Sequence, residues 1–251
     1  MTTTTTTTDV TTGSCKRCGR PTMVPAGLQV AVVCDDCAAS AERQARADGL
    51  QRSLVRAGMP AELLRYDAAL APHPDLLQWC LRHSGQWLWL SGFTGVGKTR
   101  ALARAVAITS WRAGAAPFSV LWLESALWLE SLRSREHSQQ AAQAATLAAA
   151  KRVDLLILDD FGQEALDDRT RALLFGLIDH RYVRKGMRTW ITTNASGAEL
   201  EARLGAGRWP QIRRRIVERG TMHYWDGKTW QDETQYSDRK GSDVANWWEG
   251  M

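Results

Sequence analysis

The chain is predicted to adopt an α/β fold, a parallel β-sheet covered by helices on both faces, and three observations carry that expectation. The segments "QWLWL", "FSVLWL", "DLLILD" and "RTWITTN" are short and mostly apolar, as strands buried on both faces are. Longer Ala-rich or amphipathic segments separate them, and this alternation implies crossover connections between parallel strands. With 44% hydrophobic residues in 251, the chain can bury one sizeable core and still carry a small appended module.

Taken in order, the chain opens on seven threonines at positions 2–8, with too little apolar surface to order themselves, so residues 1–13 are expected to be disordered. Residues 14–38 hold "CKRC", a Pro/Gly-containing stretch with the apolar run "LQVAVV", and "CDDC". Cys15, Cys18, Cys34 and Cys37 thereby take the spacing C-x2-C-x15-C-x2-C. Two close pairs on separate turns close one tetrahedron of thiolates around zinc, and about 25 residues have too little core to fold without such a staple. Disulfides or free thiols are the alternative, the former disfavoured in a cytoplasmic chain. Residues 39–57 are Ala-rich and charged, which suits a solvated linker helix in which Gly49 is a flaw.

The main domain is expected over 58–230. It starts with the helix "DLLQWCLRH", where Cys80 reads as a small core hydrophobe, and continues with the strand "QWLWL". A helix over 98–111 follows, with apolar residues at 102, 105, 106 and 108, then the strand "FSVLWL" and a helical Ala-rich stretch to 152. The strand "DLLILD", an amphipathic helix over 167–184 and the strand "RTWITTN" complete the pattern. Residues 231–251 form a tail whose Trp247 and Trp248 read either as an exposed docking point or as part of a strand packed on the core. The remaining tryptophans, scattered among the twelve in the chain, read as packing anchors.

The chemistry begins at 92–99, "GFTGVGKT", which fits G-x-x-x-x-G-K-[ST] between a strand and a helix. Gly92, Thr94, Gly95, Val96, Gly97, Lys98, Thr99 and Arg100 are the nucleotide-binding candidates. The glycines let backbone amides wrap phosphate oxygens, and the helix N-terminus adds positive potential. Lys98 reaches the terminal phosphates and Thr99 ligands magnesium.

The third strand ends in paired acids, "VDLLILDDFG", and neighbouring strand ends of a parallel sheet share one crevice. Asp159 is therefore expected to hold magnesium, usually through water, and Asp160 to orient or deprotonate an attacking water. Two solvated loop carboxylates are the bland alternative. At the tip of "RTWITTN", Asn194 reads either as a contact to the γ-phosphate or its water, or as a cap of the following helix.

In this order, a GxxxxGKT loop, a strand ending DDFG, a strand ending TTN and an Arg-rich helix resemble the AAA+ ATPases of the DnaC helicase-loader and IstB transposition-helper group. The segment "LVRAGMPAELLRYDAAL" is similar to the lead-in to their ATPase core, so the resemblance spans about residues 54–224. It implies a P-loop AAA+ core in which Lys98, Thr99, Asp159, Asp160 and Asn194 take the ATP-site roles. Glu follows the first acid in AAA+ proteins at large, whereas Asp is common in this branch, which implies slow hydrolysis through Asp160.

"WPQIRRRIVERGTMHYWDG" resembles the end of that core, where a helix arginine enters the neighbouring subunit's ATP site. Arg215 matches best, Arg219 lies one turn on, and Arg214 is a rival; a solvated or nucleic-acid-facing helix is the alternative reading of the run. A finger implies a homo-oligomer with shared sites. After Arg219 about thirty residues remain, too few for a C-terminal helical lid domain, which fits this branch. The resemblance also implies contact with single-stranded DNA through the helices after the second strand, here around Trp128, Arg133 and Arg135, with mere solvation of that face as the alternative.

The leading expectation is an ATP-dependent replicative helicase loader, bacterial or phage, that uses ATP, Mg2+ and Zn2+ and grips a hexameric helicase through its zinc module. A transposition helper acting on duplex DNA with a transposase is the first alternative. A zinc-ribbon adaptor that uses ATP as a switch without hydrolysing it is the second. A small-molecule P-loop kinase is disfavoured, since no acceptor pocket is evident. The net charge of +5 permits nucleic acid binding without demanding it. With no run of eighteen apolar residues and no signal-peptide pattern, a cytoplasmic protein without membrane contact is expected.

Overall fold

In a computed structural model, residues 10–25, 32–65, 73–114, 118–134, 136–163, 166–205, 207–227 and 230–232 are described, and the chain divides into two units, 1–52 and 53–251. The tail with Trp247 and Trp248, Arg135, and residues 28–31 of the apolar run lie outside the described residues.

In the first unit, β1 (Val10–Ser14) pairs antiparallel with β2 (Pro21–Pro25). The ladder gives residues 10–13 backbone partners, so they form a strand where the composition led us to expect disorder. The turn between the strands carries the first cysteine pair and closes with Gly19 N–H donating to Cys15 O at 2.8 Å, at a Gly19 φ of 73° that glycine adopts without strain. Helix α1 (Asp35–Arg56) begins inside the second pair and runs unbroken through the expected linker, with Asp35 and Asp36 in its first turn favourably placed against the helix dipole.

In the second unit the elements run α2 (Ala61–Leu64), α3 (Pro74–Arg82), β3 (Trp87–Gly92), α4 (Lys98–Ala113), β4 (Val120–Glu124), α5 (Ser125–Arg133) and α6 (His137–Arg152). They continue with β5 (Leu155–Phe161), α7 (Asp168–Val183), β6 (Arg188–Thr193), α8 (Gly197–Leu204), α9 (Arg208–Arg219), β7 (Gly220–Trp225) and β8 (Trp230–Asp232). The Ala-rich stretch is thus two helices, α5 and α6. The sheet order is β4-β5-β6-β3-β7-β8, parallel throughout except for the last pair.

Alternation along the strands shows why both faces are covered. Trp87 and Trp89 of β3, Leu156 and Leu158 of β5, Ile191 of β6 and Met222 of β7 join one core with residues of α5, α7 and α9. Their alternating neighbours Leu88, Leu90, Leu155, Ile157 and Trp190 point to the opposite face and are equally buried, alongside Ala101, Leu102, Ala105 and Val106 of α4. Trp87, Trp89, Trp190 and Trp225 are among the largest fully buried side chains. Each removes 150–250 Å² from water, roughly 4–6 kcal/mol of gross burial free energy.

Strand β7 was not foreseen: "GTMHYW" mixes polar and apolar residues and owes its burial to its partner. It lies along the whole of β3, and the approach is closest at two glycines. A Cβ on Gly220 would stand 1.8 Å from Trp87 O, and one on Gly92 1.9 Å from Trp225 O.

Among the described residues the chain after α9 adds β7 and β8 and no helical lid. The second unit is an α/β core whose largely parallel sheet is covered by helices on both faces, with the phosphate-loop sequence between β3 and α4. No helix among the described residues is long and apolar enough to cross a membrane.

Candidate nucleotide-binding site

Strand β3 ends at Gly92, and the loop to α4 turns through positive φ at Gly92, Gly95 and Gly97. These turns lead directly into the N-terminus of α4 at Lys98, an arrangement suited to phosphate. Lys98 folds back under this loop, 6% exposed, and its Nζ donates to Gly92 O and Phe93 O, each at 2.8 Å, and to Asn194 Oδ1 at 2.5 Å. Burial lowers its pKa to about 8, against the attraction of Asp160 and Asp159.

The acids arrive on β5, next to β6. In a regular strand Asp159 and Asp160 would point to opposite faces. Here the β5–β6 register shifts between Leu158 and Phe161, and Asp160 has φ 52°, the one positive φ outside glycine among the described residues. Both carboxylates consequently serve one site. Thr99 Oγ1 donates to Asp159 Oδ1 at 2.9 Å, and Thr192 Oγ1 donates to the same oxygen at 2.6 Å. Burial raises the Asp159 pKa, and these two hydrogen bonds oppose the rise. Asp160 N–H donates to Thr192 Oγ1 at 2.8 Å, and its Oδ1 accepts from Asn194 Nδ2 at 2.5 Å.

The capping alternative for Asn194 does not hold, because α8 is capped by Ser196, whose side chain accepts from Glu199 N while Glu199 answers with its carboxylate. Asn194 instead bridges Lys98 to Asp160. Lys98, Thr99, Asp159, Asp160 and Asn194 therefore meet, from three adjacent strands. Sequence reading missed Thr192; the available signal was a hydroxyl residue on the strand expected beside the acidic pair.

Arg215 and Arg219 are bound to α7 of the same chain. Arg215 donates from Nε and Nη2 to Asp179 Oδ1 at 3.0 and 2.6 Å, and its guanidinium lies 4.7 Å from the Phe175 ring centroid; the side chain is 12% exposed. Arg219 donates to Tyr182 O and covers the Tyr182 ring. Arg214 is 67% exposed beside Glu218.

The expected DNA face needs one correction. Trp128 is 6% exposed within the core beneath α5 and offers no stacking surface, because its helix turns that side chain onto the sheet. Arg133 is exposed.

In the first unit the sulfurs of Cys15, Cys18, Cys34 and Cys37 all lie within 4.8 Å of one another, as free thiols. Cys18 and Cys34 sulfurs are 3.7 Å apart, close to the roughly 3.8 Å that four sulfurs at about 2.3 Å from a tetrahedral zinc would show. The amides of Cys34 and Arg17 donate to Cys15 Sγ and bring its pKa down to about 6. Hydrogen bonding with the Cys18 and Cys34 thiols pushes Cys37 up to about 12. Thiols that compete in this way fit a cation among them.

Residues 76–219 match the protein family described as "IstB-like ATP binding protein". The "Insertion sequence IS1162 putative ATP-binding protein" of Pseudomonas fluorescens is 36% identical over 133 residues, 51% of this chain and 54% of that protein. The chain thus spans about half the length of this relative. Among solved structures, the "Crystal Structure of the DnaI" is 22% identical with a TM-score of 0.51, covering 66% of this chain and 90% of that one, a likeness of fold. The "Crystal structure of the DnaC helicase loader" is 24% identical with a TM-score of 0.44, covering 59% and 85%.

Proposed function

We propose, for a chain that belongs to the IstB-like ATP-binding protein family, that it is an oligomeric ATPase acting on DNA, with replicative helicase loading as its task. The observation that carries the ATPase reading is the convergence of Lys98, Thr99, Asp159, Asp160 and Asn194 on the mouth of the phosphate loop.

The amides from Gly95 to Thr99 cradle the phosphates, and Lys98 exchanges its loop carbonyls and Asn194 for their terminal oxygens. The Thr99 hydroxyl and the Asp159 carboxylate, 2.9 Å apart, are hard oxygen donors of the kind magnesium takes, and they would hold it. Magnesium, when bound, neutralises charge on the β- and γ-phosphate oxygens. Asp160, half-buried and aimed by Asn194, takes the proton of the attacking water.

An arginine of α9, Arg215 by its family position, completes the partner's site. Its pair with Asp179, in which the arginine side chain is 12% exposed, must open first. The four-cysteine unit lies outside the family match and is proposed to hold zinc and to grip the helicase, in the cytoplasm.

A second reading, a transposition helper that engages duplex DNA and a transposase, is favoured by the insertion-sequence relative. Pull-down with the purified full chain, with and without ATP, together with hydrolysis assays on single-stranded and duplex DNA, separates the two. Recovery of a hexameric helicase and stimulation by single strands are expected. Recovery of a transposase without any helicase would reverse the choice.

A further inference from the structure

We propose that Thr192 is the positioning residue of the ATP site, one buried hydroxyl that sets the direction of both acidic groups. The side chain is 1% exposed on β6, facing the register shift of β5. A hydroxyl has a single proton to give. Asp160 N–H is itself a donor, so the Thr192 proton is committed to Asp159 Oδ1 at 2.6 Å, and a lone pair is committed to the Asp160 amide at 2.8 Å.

The two bonds serve different ends. The amide bond gives Asp160 a partner at the register shift, where its backbone is left-handed. Held there, Asp160 turns toward Asn194 instead of the opposite face. The bond to Asp159 shares its acceptor with Thr99. When Thr99 turns to a bound cation, Thr192 is the donor that stays, and it fixes which carboxylate oxygen remains open to that cation.

This inference rests on the ATPase reading for its kinetic part and on Mg2+-dependent nucleotide binding for the rest. The test compares T192V, which exchanges the hydroxyl for a methyl, with T192S, which keeps it. For each, kcat and KM for ATP are measured, together with the affinity of a non-hydrolysable ATP analogue in Mg2+ and in EDTA.

T192V is expected to lose about 10–100-fold in kcat and about 10-fold in the enhancement of affinity by Mg2+, with affinity in EDTA unchanged; T192S stays within a few-fold of the parent. Should T192V fail to fold, T192A, which leaves room for water at the Asp160 amide, takes its place with the same expectation. Parental kcat and Mg2+ enhancement in the hydroxyl-free variant would overturn the proposal, as would an equal loss in T192S, which would assign the effect to packing. If the parent protein itself turns over no ATP, the ATPase reading falls separately, and the Mg2+ enhancement alone decides the role of Thr192.

Discussion

ATP binding at pH 8 is expected to draw about half a proton from solution, and Lys98 is the group that takes it up. Burial beneath the phosphate loop brings its pKa from 10.5 to about 8, outweighing the attraction of Asp160 and Asp159. Half of the nucleotide-free molecules then carry a neutral amine at pH 8. Phosphate oxygens arriving at Nζ favour the ammonium, so binding completes its protonation. The uptake is about 0.1 proton at pH 7, 0.5 at pH 8 and 0.9 at pH 9, and ATP affinity declines as the pH rises through 8.

The stability of the nucleotide-free protein has the opposite sign. Between about 8 and 10.5 the unfolded lysine binds more protons than the folded one, so the folded state gains as pH rises through that window, by about 3 kcal/mol over its whole width. Calorimetric titration of Mg-ATP in two buffers of different ionisation enthalpy reads the proton number directly, since the terminal phosphate is already ionised at pH 8. Opposing the effect are the three acceptors of Nζ, Gly92 O, Phe93 O and Asn194 Oδ1, which a neutral amine cannot all satisfy. Enthalpies independent of buffer at pH 8 and 9 would mean that these acceptors outweigh burial and that Lys98 is already charged in the nucleotide-free protein.

Three other outcomes are expected. Asp160→Asn should bind ATP as the parent does while phosphate release falls about 10²–10⁴-fold; unchanged release would move the protein to the non-hydrolysing adaptor reading. Mixing Arg215→Ala subunits with Lys98→Ala subunits, each inactive alone, should restore part of the turnover at interfaces that pair a sound loop with a sound arginine, and no restoration at any ratio would argue against shared sites. A zinc chelator should abolish the circular-dichroism and proteolytic signature of residues 15–37 while leaving nucleotide affinity intact, because the four cysteines and the phosphate loop belong to different units.

The four strands read from the sequence are those whose burial is written into their own residues, as in "LLIL" of β5 and "WLWL" of β3. Strand β7 escaped because its burial belongs to its pairing with β3, which two glycines allow by omission of a Cβ. The acidic pair was legible as chemistry but not as geometry: period-two alternation would have sent one carboxylate away, and the bulge that keeps both leaves no mark in composition. Asn194 was ambiguous until Ser196 took the cap. Trp128 was misjudged because an aromatic beside arginines reads alike whether its helix turns it to solvent or to the sheet.

Strand order explains why the tip of β6 holds so much of the site. The order β5-β6-β3 sets β6 between the strand that brings the acids and the strand that brings the phosphate loop. Only the residues at its end can touch both, and "TTN" divides that task. Thr192 binds the two acids, Thr193 ties the strand end to Phe161 O, and Asn194 spans from Lys98 to Asp160. Damage to this tip should therefore impair nucleotide hold and water activation together. Damage at Asp179 or Arg215, which engage each other between α7 and α9, should leave nucleotide binding by the isolated subunit untouched. The two halves of the proposed reaction, one built into the sheet and one lent by a neighbour, are separable by that difference alone.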